Sequence, residues 1–349
     1  MKESYDRDVL LHIITRLNRL IVILFIALVI IPILIINKDT IADSMSELFV
    51  SGEVQPYQKP KVDENAISYW NAYNTDFIRD SVYKAQIIYG KDLIAHTAKY
   101  LGPNGSVKKI TNGLNCQNCH LEGGSKTFGN NYGSVASLYP KFRPRSGSEV
   151  SIPERINGCF ERSMNGEALD VDSEEMKAMV AYMEYIGSNV PNGEKAEGSG
   201  LKDVAYLDRP ADPENGKVVY ENKCASCHMP DGQGALNLDK VEYLYPPLWG
   251  EQSFNDGAGL SRITKMARYV KYNMPFGVQH DAPELSDEET WDVSAYILSQ
   301  YRPHLETPND WPDLTLKPID HPFGPYADNF SEQQHKYGPF KAILNVRNK

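Results

Sequence analysis

Cysteine is scarce in this chain, and most of it falls into two short motifs. Of the five cysteines, Cys116 pairs in sequence with Cys119 and Cys224 with Cys227, which leaves only Cys159. A disulfide framework is therefore excluded. Basic residues are also outnumbered by acidic ones, and the formal net charge is -10. That charge argues against nucleic acid as a partner, because phosphate backbones bind to basic surfaces.

Long apolar runs are equally scarce, and the one uninterrupted run spans residues 20–36. Its length is near the lower limit for a helix that crosses the hydrocarbon core, roughly 17 residues. Basic residues, among them Arg16 and Arg19, precede it, and this bias places the N-terminus in the cytoplasm. No small-residue cleavage site follows promptly, so we expect an uncleaved transmembrane anchor instead of a cleaved signal peptide.

Two pentapeptides are the most informative motifs in the sequence. Cys116–His120 (CQNCH) and Cys224–His228 (CASCH) both match the pattern Cys-x-x-Cys-His. In this pattern the two thiols add to the vinyl groups of one haem, and the histidine binds the iron from the proximal side. A redox dithiol does not need the histidine, and a structural zinc site needs four ligands in close array. The sequence therefore predicts two covalently bound haem c groups, attached outside the cytoplasmic membrane of a bacterium.

Similar helical patterns follow the two motifs. Asp172 and Ser286 each precede a glutamate by three residues, a helix-capping arrangement, and an Ala-Tyr pair then follows at the same offset. An apolar helical stripe from about 78 to 100 precedes the first motif. An internal repeat of this kind predicts a mainly α fold that contains two tandem class I cytochrome c domains.

These patterns divide the chain into consecutive segments. They are a cytoplasmic N-terminus (1–19), a transmembrane signal anchor (20–36), a tether (37–77), a first cytochrome c domain (78–187), a linker (188–212), a second cytochrome c domain (213–302) and an irregular C-terminal extension (303–349). Proline and glycine content defines the linker. The extension is too aromatic for a disordered tail, so we expect it to wrap over the folded surface.

The second axial ligand of each haem sets its potential and its chemistry. For the second haem we prefer Met274, which lies on a loop stiffened by Pro275. Two other methionines are candidates on spacing alone. Met229 adjoins the proximal histidine, and Met266 falls within a helix-like stretch, so neither is well placed.

The first domain carries a cysteine near the position where a methionine ligand is expected. Cys159 and Met164 are both candidates for the distal position of the first haem. Cys159 reads as a loop residue among polar and glycine residues, with arginines nearby in sequence that favour a thiolate. The alternative is a buried, inert cysteine. Because a free thiol in an oxidising compartment is a liability unless it is used, we prefer Cys159 as the ligand.

The stretch around Cys159 resembles one family. The residue order in 139–147 (YPKFRPRSG) and 155–166 (RINGCFERSMNG) is similar to that of the dihaem thiosulfate dehydrogenases, which form tetrathionate. The resemblance covers about 78–301 and implies a His/Cys haem in the first domain and a His/Met haem in the second. One departure is Asn273, where some members carry a lysine that exchanges with the methionine ligand.

The resemblance also implies residue roles. Cys159 matches the haem ligand and sulfur-binding thiolate of the family, and Arg145, Arg155 and Ser163 match residues that line its substrate pocket. Arginine suits this task because its planar donors recognise sulfonate oxygens and offset the repulsion between two dianions. For the neighbouring Arg143 and Arg162, a role at the surface or on a haem propionate is an equal alternative.

We therefore expect a membrane-anchored oxidoreductase on the periplasmic side that interconverts thiosulfate and tetrathionate and exchanges electrons with a soluble or membrane redox partner. The first alternative is a non-catalytic electron carrier, which would require Met164 on the first haem. The second is a dihaem peroxidase, which needs an open coordination site, and no calcium-site or peroxide motif accompanies the haem motifs.

Overall fold

The computed structural model describes residues 15–21, 24, 28 and 68–347. The chain divides into two compact units, Met1–Ile67 and Ser68–Lys349. In the first unit, 15–21 are helical. No helix among the described residues is long and apolar enough to cross a membrane. Most of the anchor expected at 20–36, and the tether up to residue 67, lie outside the described residues, so the anchor stays a prediction.

The second unit is mainly helical, with two small hairpins. Its longer helices are α1 (Ser81–Ala95), α2 (Thr97–Leu101), α3 (Ile152–Arg162), α4 (Glu174–Ile186), α5 (Pro213–Lys223), α6 (Ile263–Asn273), α7 (Asp287–Ser299), α8 (Glu332–Tyr337) and α9 (Lys341–Arg347). Short helical turns lie at Thr75–Phe77, Cys116–Asn118, Leu121–Gly124, Val135–Leu138, Ala225–His228, Gly259–Ser261 and Leu314–Leu316. The antiparallel strand pairs are β1 (Lys141–Arg143) with β2 (Ser148–Val150), and β3 (Ala235–Leu236) with β4 (Tyr243–Tyr245).

Each cytochrome domain contains a pair of helices that cross in the same way. In the first domain α1 packs against α4, and a Cβ at Gly90 would overlap the Ala178 carbonyl. In the second domain α5 packs against α7, and a Cβ at Gly216 would overlap the Asp292 carbonyl in the same way. The close approach of the two backbones requires glycine at each crossing. The internal repeat expected from the sequence is therefore a repeat in packing as well.

The helix expected from about 78 to 100 is two helices in the structure. Asp80 caps α1, its side chain accepting from the Tyr83 amide over 2.8 Å. The chain leaves helical geometry at His96, with φ -128° and ψ 44°, before α2 begins. The Thr97 hydroxyl accepts from the Cys116 amide over 3.0 Å, which ties the break to the first Cys-x-x-Cys-His motif.

The caps of the two C-terminal helices are close to those predicted. Ser286 and Glu289 form the expected capping box at the start of α7. The cap of α4 is Ser173, one residue after the expected Asp172, and its side chain accepts from the Met176 amide over 3.2 Å. A serine in the same turn competes with the aspartate for this position, because both residues cap well.

Each cytochrome domain has its own apolar core, and the extension adds to the second. Residues of α1, α3 and α4 bury the first core, which includes Ile87, Phe160 and Met179. In the extension, α8 and α9 bury Tyr337 and Ile343 in a cluster with residues of α6 and α7. The extension therefore contains helices, although the sequence pattern predicted irregular chain.

Candidate haem and thiolate site

The first Cys-x-x-Cys-His motif begins in the helical turn Cys116–Asn118 and aims His120 toward the domain interior. His120 Nδ1 lies 2.5 Å from the carbonyl oxygen of Asn130. Because a carbonyl only accepts, Nδ1 carries the proton and Nε2 is left free to bind a metal. The Tyr132 ring packs on the imidazole with centroids 4.6 Å apart. The residue therefore has the tautomer and orientation of a proximal haem ligand.

The second motif repeats this arrangement. His228 Nδ1 lies 2.9 Å from the carbonyl oxygen of Pro246, so its Nε2 is also free. The cysteines of both motifs are unpaired. Apolar side chains of the second core surround this motif, among them Trp249 and Phe254.

An unsatisfied cation in the second domain also fits a haem. The guanidinium of Arg302 lies 4.3 Å from the centre of the Phe254 ring. Its Nη1 is buried and has no hydrogen-bond partner among the described residues. Its Nη2 donates to the Ile297 carbonyl over 2.8 Å, so Nη1 is the part of the guanidinium that still needs an acceptor. A haem propionate is an anion of the right kind to satisfy it. The residues around both motifs thus fit the cofactor that the motifs predict.

Cys159 lies on helix α3, and the expectation that it occupies a loop is wrong. Ser151 and Glu154 form a capping box at the start of α3, and Pro153 lies in its first turn. Ile156 and Phe160 bury one face of the helix. Ile152, Ile156 and Phe160 recur every four residues, so the helical pattern is present in the sequence although polar residues and glycine surround Cys159.

The spacing of α3 brings the predicted site residues onto one stripe. Arg155, Cys159 and Ser163 are four residues apart, so they lie one above another on a face next to the buried one. Ser163 ends the helix, and its amide donates to the Cys159 carbonyl over 2.8 Å. The helix therefore presents a cation, a thiol and a hydroxyl in a row.

The environment of Cys159 favours the thiolate. Arg155 Nη1 donates to Cys159 Sγ over 2.8 Å. Burial alone would raise the pKa of this thiol, but the charge of Arg155 and the contact with His120 outweigh it and lower the pKa to about 6. Cys159 also interacts electrostatically with Cys116 and Cys119. The thiol, His120 and the two attachment cysteines therefore converge on one space.

Met164, the other candidate ligand in the first domain, is placed differently. Its side chain is buried and packs with the apolar core of the first domain. Its amide donates to the Cys159 carbonyl over 3.0 Å, so it follows α3 directly. Its side chain thus lies among apolar residues, whereas the Cys159 thiol accepts from Arg155.

Arg145 and Arg162 meet a carboxylate that the sequence reasoning missed. Asp310, in the extension, accepts from Nη1 and Nη2 of Arg162, both over 2.9 Å. The same carboxylate lies 3.8 Å from Nε of Arg145, whose Nη1 donates to the Gly257 carbonyl over 3.1 Å. Burial, followed by the charge of Arg162, lowers the pKa of Arg145 to about 10. Arg162 is thus a structural ion-pair partner, neither solvated nor free.

Arg143 lies apart from this group. It belongs to β1, and its Nη1 donates to the Tyr139 hydroxyl over 3.4 Å. Arg145 lies in the turn that joins β1 to β2 and reaches across to the second domain through Gly257. Arg145 therefore contacts the second domain directly, whereas Arg143 contacts Tyr139, which interacts electrostatically with Arg155.

Met274 lies at the end of α6, where it is the C-terminal cap. It packs, partly buried, against the apolar core of the second domain. Met266 is buried on the same helix, as the sequence predicted, and Met229 follows the turn that carries His228 with a φ of 64°. Met266 and Met274 both belong to the apolar cluster that packs against the second haem motif, so Met274 as the ligand stays a prediction.

Comparison with known proteins identifies the family. The SoxA/TsdA cytochrome c domain profile matches residues 106–191, and the general cytochrome c profile matches 213–300. A thiosulfate dehydrogenase of Psychrobacter arcticus is 40% identical over 239 residues, which are 68% of this chain and 69% of that protein. The chain belongs to the thiosulfate dehydrogenase family. It is an oxidoreductase, and its two cytochrome c domains imply two covalently bound haem c groups, as the sequence predicted.

Further relatives agree. A thiosulfate dehydrogenase of Allochromatium vinosum is 38% identical over 57% of this chain and 73% of that protein. Among solved structures, a thiosulfate dehydrogenase (TsdBA) of Marichromatium purpuratum matches with a TM-score of 0.62 and 28% identity, over 67% of this chain. The chain spans half the length of that solved protein. Both domain profiles end before residue 303, so the extension lies beyond them.

Proposed function

We propose that this protein interconverts thiosulfate and tetrathionate at the first haem, with His120 and Cys159 as its axial ligands. One observation carries the proposal. Cys159 faces His120, and Arg155 donates to its sulfur over 2.8 Å, so the thiolate is both buried and charge-balanced. A thiolate activated by a buried cation is the nucleophile that sulfur transfer needs.

The bond changes at Cys159 balance in two steps. In the first, the thiolate sulfur bonds to the outer sulfur of one thiosulfate, and two electrons leave, which gives a cysteine S-thiosulfonate. In the second, the outer sulfur of another thiosulfate attacks the same sulfur and releases tetrathionate and the Cys159 thiolate. The two haems, when bound, supply acceptors for one electron each.

The arginines are proposed to hold the anions during these steps. Arg155 already pairs with the thiolate, and Arg145 adds a second buried cation near it. Guanidinium donors match sulfonate oxygens in pairs and reduce the repulsion between two dianions. Ser163, one turn beyond Cys159 on α3, offers a hydroxyl donor to the same space.

Electron exchange with a partner is proposed to occur through the second haem, with His228 and Met274 as its ligands. The free Nε2 of His228 and the position of Met274 at the end of α6 support this assignment. The same bonds form and break in both directions, so the potentials of the haems and of the redox partner decide the net direction. Residues 20–36 are proposed to anchor the protein, with the haem domains on the periplasmic side.

The test is turnover of purified holoprotein in both directions. We expect oxidation of thiosulfate with a dye acceptor and reduction of tetrathionate with a dye donor. Magnetic circular dichroism should show a thiolate-ligated low-spin haem beside a methionine-ligated one. Two methionine-ligated haems without turnover in either direction would instead support an electron carrier with Met164 on the first haem.

A further inference from the structure

Trp311 of the C-terminal extension lies against the arginine that enters the proposed substrate pocket. Its amide donates to the Arg145 carbonyl over 2.7 Å. The guanidinium carbon of Arg145 lies 5.5 Å from the centre of the indole ring. Trp311 adopts a φ of 61°, which is rare for a bulky residue and marks a position that the surrounding contacts hold in place.

The indole N–H of Trp311 lacks a partner. The side chain is only 8% exposed, and Nε1 is buried without a hydrogen bond among the described residues. Two of the other buried tryptophans, Trp70 and Trp291, donate from Nε1 to Asn189 Oδ1 and to the Ala205 carbonyl, over 2.9 and 2.8 Å. A buried donor without an acceptor is uncommon and costly, so this one is suited to a ligand.

The side chains around Trp311 do not supply the missing acceptor. Both oxygens of Asp310 are taken by the two nitrogens of Arg162. The His321 ring lies 5.7 Å from the indole, its Nδ1 donates to the Phe323 carbonyl over 3.1 Å, and neither ring nitrogen accepts from the indole N–H. Arg145 offers only donors. Arg145 already contacts the Asp310 carboxylate and the Gly257 carbonyl, so the indole N–H is the donor left open beside this cation, and an anion held by Arg145 would supply its acceptor.

We propose that Trp311 Nε1 donates to a sulfonate oxygen of the substrate that Arg145 holds, so that the C-terminal extension forms part of the substrate site. The proposal rests on the proposed function, because it needs a sulfonate anion in this pocket. The Trp311 N–H would donate in one fixed direction, beside the delocalised positive charge of Arg145.

The test is Trp311→Phe in the holoprotein, which removes the N–H and keeps an aromatic ring beside Arg145. We expect at least a tenfold rise in KM for thiosulfate and in the dissociation constant measured by calorimetry, with the midpoint potential of the first haem unchanged. Trp291→Phe is the matched control, because it removes an indole donor far from Arg145 and should leave KM unchanged. Trp311→His, which restores a ring N–H, should recover part of the affinity and covers the case in which the phenylalanine variant does not fold.

Three results would overturn the proposal. Unchanged KM and dissociation constant in Trp311→Phe would show that the indole does not touch the substrate. A shifted potential of the first haem with unchanged KM would show that the acceptor is a haem propionate. Absence of thiosulfate binding and turnover in the wild-type protein would overturn the proposed function together with this proposal, whereas the first two results leave the proposed function intact.

Discussion

The Tyr269 hydroxyl donates a hydrogen bond to the carbonyl of Asn118 over 2.7 Å. Asn118 lies inside the first Cys-x-x-Cys-His motif, and Tyr269 is buried on α6 of the second domain. On the same helix, Asn273 Nδ2 donates to the Phe128 carbonyl of the first domain over 3.1 Å. Helix α6, which Met274 caps, is therefore hydrogen-bonded directly to the segment that contains the first haem motif. With both haems attached, we expect this hydrogen bond to offer a short electron path between the two domains.

Replacing Tyr269 with phenylalanine should slow electron transfer between the haems several-fold. The change removes only the hydroxyl, so the ring still fills its place and both haems stay attached. The rate should be followed by rapid mixing or flash reduction. Tyr272→Phe is the control, because its hydroxyl donates to the Asp203 carbonyl over 2.9 Å and makes no contact with the motif. Equal rates in the two variants would exclude this hydrogen bond from the path.

The motifs were predictable because their chemistry is local. Two thiols and a histidine in five residues are enough to specify a haem attachment, and His120 and His228 both have the free Nε2 that this requires. The tandem repeat was predictable from its caps, since capping residues act within one turn. Features that depend on residues close together in the sequence, such as the haem motifs and the helix caps, could therefore be predicted.

Other parts of the site depend on contacts that the sequence does not display. Helix α3 was nevertheless readable, because Ser151 and Glu154 carry the same capping pattern that located α7, and Ile152, Ile156 and Phe160 recur every four residues. Asp310 and Trp311 meet Arg162 and Arg145 only through folding of a distant segment. No periodicity or motif in the extension marks these two residues as part of a site.

Cys159→Ala should keep both haems covalently attached and reduce thiosulfate–tetrathionate turnover to less than a tenth of wild type. The alanine removes the sulfur that forms the proposed covalent intermediate and leaves Arg155 without its 2.8 Å partner. Haem staining after denaturing electrophoresis checks attachment, and dye-linked assays check turnover. Cys159→Ser retains a small polar group and should be equally inactive. Activity above a tenth in the alanine variant would rule out a covalent role.

Arg155→Ala should lower kcat/KM for thiosulfate by about a hundredfold or more, because a charge-assisted contact in a buried site contributes several kcal/mol. The spectrum of the second haem should not change. Arg79→Ala is the matched control, since this arginine is exposed and precedes α1. Similar kinetic losses in both variants would point to general electrostatics instead of a specific contact.

Asp310→Ala should lower the free energy of unfolding by about 3 kcal/mol, because it leaves the largely buried Arg162 without its bidentate partner. Denaturant unfolding of the holoprotein measures the loss. Asp208→Ala is the control: its pair with Lys341 is exposed, and its loss should cost less than about 1 kcal/mol. Equal losses of unfolding free energy in the two variants would mean that the Asp310–Arg162 pair contributes no more than a surface ion pair.

Met274→Gly should shift only the higher of two redox waves. Methionine ligation stabilises ferrous iron, whereas an anionic thiolate stabilises ferric iron, so the second haem should titrate above the first. Electrons taken from thiosulfate at Cys159 would then collect on the haem held by Cys224 and Cys227. Met266→Leu is the control, because Met266 is buried on the same helix and should affect neither wave. A titration followed at the haem α-bands resolves the two waves, and movement of the lower one in Met274→Gly would show that the two haems are assigned in the wrong order.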